Sequence, residues 1–337
     1  MNEVIRVGVD TSKSVFQVHG VDAAERPILV KKLRRGEMRR LFSSLPPTVI
    51  GMEACGGAHH WARVLQELGH EVRLLPPQYV KPYVKRGKND AADAAAICEA
   101  MSRPSMRFVP VKTRESQAEL MLHGSRELLI RQRTMLLNAV RGHAAEFGVV
   151  GAKGVGRIAE LLERIAASSA VPELARGIFA RLAGQIEALE EQLAALDRQL
   201  RAWHRQNERS RRLATIPGVG PVVATALAMK VPDPGAFRSA RHFAAWVGLT
   251  PKDHSTAGRQ RLGAITRAGD ETLRHLLVSG AMAVIRRAKP GRASPWLLNL
   301  LARKSRMEAA VALANKMARI AWAMMISGEV YRQPEAV

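Results

Sequence analysis

Four acidic side chains have the types and the placement to bind a divalent cation. Asp10 ends one apolar run of the chain, and Glu53 ends a second. Asp90 and Asp93 are three residues apart on an alanine-rich segment, so both lie on one face of the helix that this segment predicts. Carboxylate oxygens are the ligands that Mg²⁺ prefers, and paired cations of this kind support phosphoryl transfer. Together the four acids predict a magnesium site, although each alone is also compatible with a turn cap, a helix cap or a solvated helix face.

The segments around these acids predict the scaffold that brings them together. Residues 4–22 alternate in polarity around a polar turn at 10–13, which predicts two strands paired as a hairpin. Residues 49–100 alternate between strand and helix patterns, which indicates an α/β unit with parallel pairing. Acids at the ends of two such strands are expected to meet an acid pair on the following helix.

The charge of the chain predicts a polyanionic partner. Of 337 residues, 52 are Lys or Arg and 30 are Asp or Glu, which gives a net charge of +22. Nucleic acid is the first candidate and an anionic membrane the second. No apolar run approaches the roughly 18 residues of a membrane-spanning helix, and the N-terminus has no signal-peptide pattern. Cys55 and Cys98 are too few for a disulfide framework or a zinc site, so we expect a soluble, cytoplasmic, nucleoid-associated protein.

The middle of the chain predicts long helices. Residues 113–147 have apolar residues at helical spacing, and a second helical stretch covers 158–203 with Pro172 as its only breaker. The later part of that stretch has apolar residues in steps of three and four with acids outside the stripe, a coiled-coil pattern. We interpret these helices as spacers or oligomerisation arms. The members of the stripe are Ile186, Leu189, Leu193, Leu196 and Leu200.

The last third of the chain contains a glycine turn and a basic stretch. Gly218 and Gly220 lie between two predicted helices, as in a helix-hairpin-helix, where backbone amides approach a phosphate closely; an ordinary tight helix connection is the alternative. No acid occurs between Glu271 and Glu308, and one-signed clustering on that scale predicts a phosphate-binding surface. The residues we expect to bind nucleic acid are Arg259, Arg261, Arg267, Arg286, Arg287, Lys289 and Arg292.

Several motifs of this sequence occur together in one family. Those near the N-terminus are Val7-Gly8-Val9-Asp10-Thr11-Ser12-Lys13, Gly51-Met52-Glu53-Ala54 and Lys88-Asn89-Asp90-Ala91-Ala92-Asp93-Ala94. Those near the C-terminus are Ile216-Pro217-Gly218-Val219-Gly220-Pro221 and the segment from Gly248-Leu249-Thr250-Pro251 to Leu262-Gly263. In this order they resemble the Asp-Glu-Asp-Asp set and the second domain of the insertion-sequence "one-ten" transposases, the bridge-RNA-guided recombinases.

The resemblance implies a fold, a chemistry and partners. It implies a RuvC-like (RNase H-like) α/β domain at 1–110, a helical or coiled-coil spacer at 111–208, and a mainly α transposase domain with a helix-hairpin-helix-like turn at 209–337. Asp10, Glu53, Asp90 and Asp93 would bind Mg²⁺, and Ser255 would attack DNA as a nucleophile. A Ser-Gly pair is frequent there, whereas this chain has Ser255-Thr256-Ala257-Gly258, so Thr256 is the alternative hydroxyl.

The expected activity is that of an RNA-guided DNA recombinase, the transposase of a mobile element. Its partners would be donor and target DNA, a structured non-coding guide RNA and further copies of the chain, as a dimer or tetramer. A RuvC-like nuclease or junction resolvase without a covalent intermediate is the first alternative. A basic nucleic-acid-binding protein whose acids are structural is the second. Ser255 has no well-placed local His-Asp pair beyond its neighbour His254, so its activation is expected to come from the carboxylate and metal cluster.

Overall fold

The protein divides into two compact units, Met1–Gln117 and Ala118–Val337. The computed structural model describes residues 3–85, 90–256, 258–290 and 293–332. Lys88 and Asn89 of the acid motif, Ala257 of the serine segment and the predicted nucleic-acid ligand Arg292 lie outside the described residues. The three-part domain division stays a prediction.

A five-stranded mixed sheet with the order β3-β2-β1-β4-β5 forms the centre of the first unit. Its first three strands are antiparallel neighbours, while β4 lies parallel to both β1 and β5. The hairpin and the parallel pairing predicted from the sequence are both present, and the topology fits a RuvC-like fold. The strands are β1 (Arg6–Thr11), β2 (Val15–Val21), β3 (Pro27–Arg34), β4 (Val49–Glu53) and β5 (Glu71–Leu75).

Four α-helices accompany this sheet within the described residues of the first unit. They are α1 (Met38–Ser43), α2 (Ala58–Glu67), α3 (Pro77–Val80) and α4 (Asp90–Ala100). The first two contribute to an apolar core with the strands, in which Phe16, Phe42 and Ile50 are fully buried. Helix α4 packs on β1 and β2. Its buried residues are small or apolar, so the helix lies close to the sheet.

The second unit is mainly helical, with one short two-stranded hairpin. Its helices are α5 (Arg114–Glu146), α6 (Ile158–Ala167), α7 (Glu173–Gln206), α8 (Glu208–Leu213), α9 (Pro221–Lys230), α10 (Ala240–Trp246), α11 (Glu271–Arg286), α12 (Pro295–Arg303) and α13 (Arg306–Ser327). The strands are β6 (Pro251–Asp253) and β7 (Leu262–Ile265). Helices α8 to α13 share one apolar core.

The long helices α5 and α7 lie antiparallel. Near one end Trp203 Nε1 donates to Glu119 Oε1 at 2.9 Å, and further along Arg126 Nε donates to Asp197 Oδ1 at 2.6 Å. The fully or nearly buried residues of α7 follow a seven-residue period, which is the spacing of a coiled-coil seam. They are Phe179, Ile186, Leu193 and Leu200. The coiled-coil interpretation of the spacer itself stays a prediction.

The glycine turn between α8 and α9 packs against α11. Gly218 has φ of +88°, and a Cβ at this position would lie 2.8 Å from the carbonyl oxygen of Gly280. This glycine is therefore required for a positive φ and for close helix packing. Gly220 has open space around it. The expected phosphate contact of this helix-hairpin-helix-like turn stays a prediction.

Helix α13 is long and apolar enough, by length and composition, to cross a membrane. It is the single helix of that kind among the described ranges, and it corrects the expectation that no segment approaches this length. The helix contributes Ala314, Met317 and Ala321 to the core of the second unit. A core helix of a globular domain passes the same test of length and composition.

Candidate active site

The structure brings three of the four predicted metal ligands together. Asp10 is near the end of β1, Asp90 begins α4 and Asp93 follows one turn later. Carboxylate oxygens of these three residues lie within 4.8 Å of one another. Three hard oxygen donors at this separation suit a divalent cation.

Glu53 lies beside this cluster and is electrostatically coupled to it. It is the last residue of β4, the parallel neighbour of β1. Burial raises the pKa of the Glu53 carboxyl, and the charges of Asp10 and Asp93 raise it further. Burial likewise raises the pKa of Asp10, with Asp93 and Asp90 as the next causes. Such like-charge repulsion among half-buried carboxylates is the condition that a bound cation relieves.

The position of α4 depends on a glycine that sequence analysis did not single out as functional. A Cβ on Gly8 would lie 2.2 Å from the carbonyl oxygen of Ala94 and 2.5 Å from the amide nitrogen of Cys98. Only a residue without a side chain allows α4 to approach β1 this closely, which places Asp93 next to Asp10. A glycine inside a strand, two residues before an acid, was the available sequence signal.

Ser255 lies at the tip of the β6–β7 hairpin, where the sequence predicted only a polar loop. The two strands pair antiparallel, with Pro251 opposite Ile265 and Asp253 opposite Leu262. The strands are short and mostly exposed, so no alternation of buried and exposed residues marks them in the sequence. The hairpin therefore gives the serine a more defined setting than a loop.

Two hydrogen bonds fix Ser255 in the hairpin. Its Oγ accepts a hydrogen bond from the backbone amide of Arg261 at 3.0 Å. Its backbone amide donates to Asp253 Oδ1 at 2.8 Å, and the polar contacts of the Ser255 side chain and amide lower the pKa of the Asp253 carboxyl below its usual range. Asp253 is a carboxylate next to the serine that the sequence analysis did not consider as a partner. An acid two residues before the serine is a short-range turn pattern that could have been recognised.

Thr256 is fixed through its backbone. Its amide donates to Arg259 O at 3.3 Å, and the Arg259 amide donates to Thr256 O at 2.9 Å. These two bonds close the hairpin tip. Ser255, by contrast, is also fixed through its hydroxyl, which accepts from the Arg261 amide.

The predicted nucleic-acid ligands fall into two groups. Arg259, Arg261 and Arg267 are exposed on the hairpin and on the segment before α11. Exposed basic residues also surround the C-terminal end of α11, namely Arg286, Arg287 and Lys289. Helix α11 has 16 residues and is about 24 Å long, with Arg267 shortly before its first turn and the second group at its other end. We call the two groups the basic patches, and their contact with nucleic acid stays a prediction.

A strand-end carboxylate cluster on a mixed sheet, joined in sequence to a basic helical unit, defines a DNA-processing enzyme of the DEDD class. Two family profiles match the chain: the DEDD transposase profile over residues 7–147 and the profile "Transposase IS116/IS110/IS902 family" over residues 210–296. The chain belongs to the IS110/IS116/IS902 family of transposases.

Similar proteins support this assignment along nearly the whole chain. The y4pF/y4sB protein of Sinorhizobium fredii, which carries a transposase name, is 61% identical over 345 residues, covering 99% of this chain and 87% of its own. The transposase for insertion sequence element IS1111A of Coxiella burnetii is 39% identical, covering 98% and 92%. The transposase for insertion sequence element IS1328 of Yersinia enterocolitica is 38% identical, covering 98% and 99%. The chain is a DNA transposase, so the non-catalytic alternative is set aside.

Proposed function

We propose that the chain is an RNA-guided DNA recombinase that moves its own insertion sequence through a serine nucleophile. The observation that carries this proposal is the setting of Ser255 on a basic hairpin, where its hydroxyl accepts from the Arg261 amide and its own amide donates to the Asp253 carboxylate. A serine hydroxyl is a weak nucleophile at neutral pH and needs a proton acceptor. Asp253, whose carboxyl pKa is lowered by its contacts with Ser255, is the nearby carboxylate that we propose accepts the proton.

In the proposed step, Ser255 Oγ forms a bond to a DNA phosphorus atom, and one deoxyribose oxygen leaves. The hydroxyl proton passes to Asp253, and the leaving oxygen takes up a proton as the strand end is released. The guanidinium groups of Arg259 and Arg261, on the same hairpin, would attract the scissile phosphate. Attack by an oxygen of a strand end on the phosphoserine reverses the step and joins strands.

The four acids of the first unit are proposed to bind Mg²⁺. The fit is supported by the cluster of three carboxylates and by the raised pKa of Asp10 and of Glu53, which a cation would reverse. Bound Mg²⁺ supplies Lewis-acid stabilisation of phosphate oxygens. Asp10 and Asp93 would hold the cation from the sheet and from the helix, while Asp90 and Glu53 complete the donor set.

Partners follow from charge and from family resemblance. The two basic patches of the second unit favour DNA, both donor and target, as the main ligand. A structured non-coding guide RNA and a homo-oligomeric state, dimer or tetramer, rest on the resemblance alone. The enzyme would act in the cytoplasm, on the nucleoid. RNA that copurifies with the chain and is protected from nuclease would support RNA guidance. An active complex that contains no RNA would contradict RNA guidance.

A second candidate is a nuclease or resolvase that uses the carboxylates alone. It is favoured by the acid cluster, which suffices for metal-dependent hydrolysis without a serine. A covalent protein–DNA adduct separates the two functions.

Trapping that adduct tests the proposal. We expect Ser255→Ala to lose both recombination and the adduct, while Thr256→Ala keeps a measurable part of both. Mass spectrometry of the digested adduct should place the nucleotide on the peptide that contains Ser255. A modified Thr256 would transfer the role to that residue. An active enzyme that forms no adduct under any quench condition would favour hydrolysis by the carboxylates.

A further inference from the structure

A cleft in the second unit lies against the hairpin that carries Ser255. Its volume is about 860 Å³, which is large enough for a nucleotide. Pro251 of β6 and Ile265 of β7 contribute one wall, while residues of α11, α12 and α13 contribute the others. The hairpin thus carries the proposed nucleophile at its tip and borders this cleft with its strands.

The cleft combines an apolar floor with an exposed aromatic ring. Leu249, Val278 and Val311 are among the apolar lining residues. Trp296 on α12 lines the cleft and is 37% exposed, and the Lys316 ammonium lies 4.4 Å from its ring centroid. The ammonium lies over one face of the ring, so a nucleobase would stack on the other face, while the cation attracts a phosphate.

Two arginines of the lining are available to a ligand, while a third is not. Arg274 Nη1 donates to Val247 O at 2.9 Å and to Ala268 O at 2.8 Å, so this guanidinium supports the backbone. Arg319 Nε is buried and has no hydrogen-bond partner among the described residues. Because Nε itself is buried, an anion in the cleft would meet the other nitrogens of the Arg319 guanidinium, whose charge attracts a phosphate.

Arg267 is the second available arginine, and its backbone is strained. It is a non-glycine residue with φ of +56°. The neighbouring Gly248 and Gly269 allow the segment to pack so closely that a Cβ on Gly269 would lie 1.8 Å from Trp246 O. The packed segment thus holds Arg267 in a left-handed conformation at the edge of the cleft, and such strain is often kept where a side chain must be positioned.

The charges of the cleft favour an anion over a neutral ligand. Its acids are Glu271 and Glu308, and Glu308 is already bound by the amide of Ser305 at 3.1 Å. Arg267, Arg274 and Arg319 give the lining three positive charges against these two acids.

From these contacts we propose that the cleft binds one unpaired nucleotide of a nucleic-acid strand. The base would lie on the apolar floor against Trp296, and the phosphate would meet Arg319 and Arg267. A paired duplex hides the faces of its bases, so the occupant must be unstacked from its neighbours. The proposal rests on the DNA-recombining function above, since an unpaired nucleotide next to the cleaved phosphate would be its natural source. An unpaired nucleotide of a guide RNA has the same chemistry.

The test measures binding of the full chain without divalent cations, so that cleavage does not interfere. Two duplexes are compared, one with a single extrahelical nucleotide and one with an abasic residue in the same bulge. We expect the base to tighten binding about fivefold to a hundredfold, the range for one base stacked on an aromatic side chain. The comparison is made with DNA duplexes and with RNA duplexes. Whichever nucleic acid shows tighter binding of the bulge with a base than of the abasic bulge is the source of the bound nucleotide. A preference below twofold in both arms overturns the proposal.

Variants assign the contacts. Trp296→Ala should remove the preference for the base, and Arg319→Gln should weaken both bulged duplexes by the same factor. Arg303→Gln removes a charge from an exposed position of α12 outside the lining and should leave the preference unchanged. If Trp296→Ala is unstable, 5-iodouracil in the bulge should crosslink the wild-type chain to the peptide containing Trp296. Crosslinking elsewhere, or a preference that persists in a folded Trp296→Ala variant, contradicts the proposal.

Failure of this proposal is distinguishable from failure of the proposed function. A covalent adduct on Ser255 without any base preference would leave the recombinase intact and remove the cleft site. A base preference without an adduct would keep the cleft site and remove the serine mechanism.

Discussion

Burial and two neighbouring acids act on Asp10 in the same direction. All three raise the pKa of its carboxyl, with burial as the largest cause. A raised carboxyl pKa contributes stability that is fully present below the ordinary pKa and is lost as the pH rises through the folded-state value. The metal-free protein is therefore less stable at neutral pH than it would be with an uncharged residue at this position.

We expect Asp10→Asn to raise the thermal midpoint of the metal-free protein at pH 7, because it removes one repelling charge. The same variant should lose the stabilisation that Mg²⁺ or Mn²⁺ gives the wild type, which grows with the logarithm of cation concentration above the dissociation constant. Thermal unfolding with EDTA and across a magnesium titration measures both effects. Asp22→Asn is the control, because it alters an acid that is already paired with Arg26 at 2.8 Å. The thermal midpoint of this variant should not rise. A thermal midpoint of metal-free Asp10→Asn below that of the wild type would contradict repulsion among these carboxylates.

Asp253 allows a second experiment on a single residue. Asp253→Asn keeps a side-chain acceptor for the Ser255 amide but cannot take up the hydroxyl proton at neutral pH. We expect adduct formation to slow by roughly 10²-fold or more, the usual effect of losing a positioned proton acceptor. His254→Gln is the matched control on the adjacent residue and should change the rate little. Equal rates for Asp253→Asn and the wild type would show that another group accepts the proton.

Sequence reasoning worked best for residues whose role follows from position in a strand or helix. Asp10 and Glu53 end apolar runs, so their place at one edge of a parallel pair could be predicted. Gly8 matters through its contacts with Ala94 and Cys98, which are distant in the sequence. Arg319 matters because its Nε has no hydrogen-bond partner among the described residues. No local sequence pattern encodes either feature. Asp253 was missed although it lies only two residues from the serine, because the hairpin that joins them was not recognised.

At the level of elements, the contact between α4 and β1 determines whether the acids meet. Gly8 leaves no room for a methyl group below α4, whereas Gly36 has no atom within 4 Å of its Cβ position. The two glycines therefore offer a matched pair in the same unit. One is required by packing, and the other lies in open space.

We expect Gly8→Ala to destabilise the first unit by about 1–3 kcal/mol, the usual cost of overpacking a core, and to weaken metal binding by moving Asp93 away from Asp10. Gly36→Ala should leave both unchanged within about 0.5 kcal/mol, as for most surface substitutions. Denaturant unfolding measures the stability, and calorimetric titration with Mn²⁺ measures the affinity. Wild-type metal affinity in a folded Gly8→Ala variant would mean that the helix position does not control the site.

The helices and the hairpin differed in how well the sequence predicted them. Helix α7 has a buried residue at every seventh position over most of its length, so its existence was evident from the apolar period. Strands β6 and β7 have three and four residues and are mostly exposed, which is too little pattern to recognise. The short elements that shape the serine site are thus the ones that depend most on tertiary context.

For the whole molecule, the net charge of +22 predicts binding that weakens steeply with salt. Each phosphate contact releases condensed counterions and contributes about −0.9 to the slope of log K against log salt on duplex DNA. The 16 residues of α11, which lie between Arg267 and the second patch, span about 24 Å, close to seven base pairs of duplex. We expect one duplex to contact both patches.

That arrangement gives an additive prediction for salt dependence. Arg286→Gln with Arg287→Gln should reduce the magnitude of the slope by about 1.8, because two phosphate contacts are lost. Arg259→Gln with Arg261→Gln should reduce it by a similar amount, and all four together by about twice as much. Arg26→Gln, which removes one arginine that is paired with Asp22, is the control and should change the slope by less than about 0.5.

Fluorescence anisotropy with a labelled duplex, measured from low to moderate salt, decides among the possible arrangements. Additive changes mean that one DNA molecule contacts both patches, since each lost contact then removes its own counterion release. A change from only one pair would mean that the duplex binds at a single end of α11 and leaves the other patch for a second strand or a guide RNA. A slope near zero in the wild type would contradict nucleic acid as the main partner of the basic residues. Binding through phosphate contacts must release counterions and therefore must depend on salt.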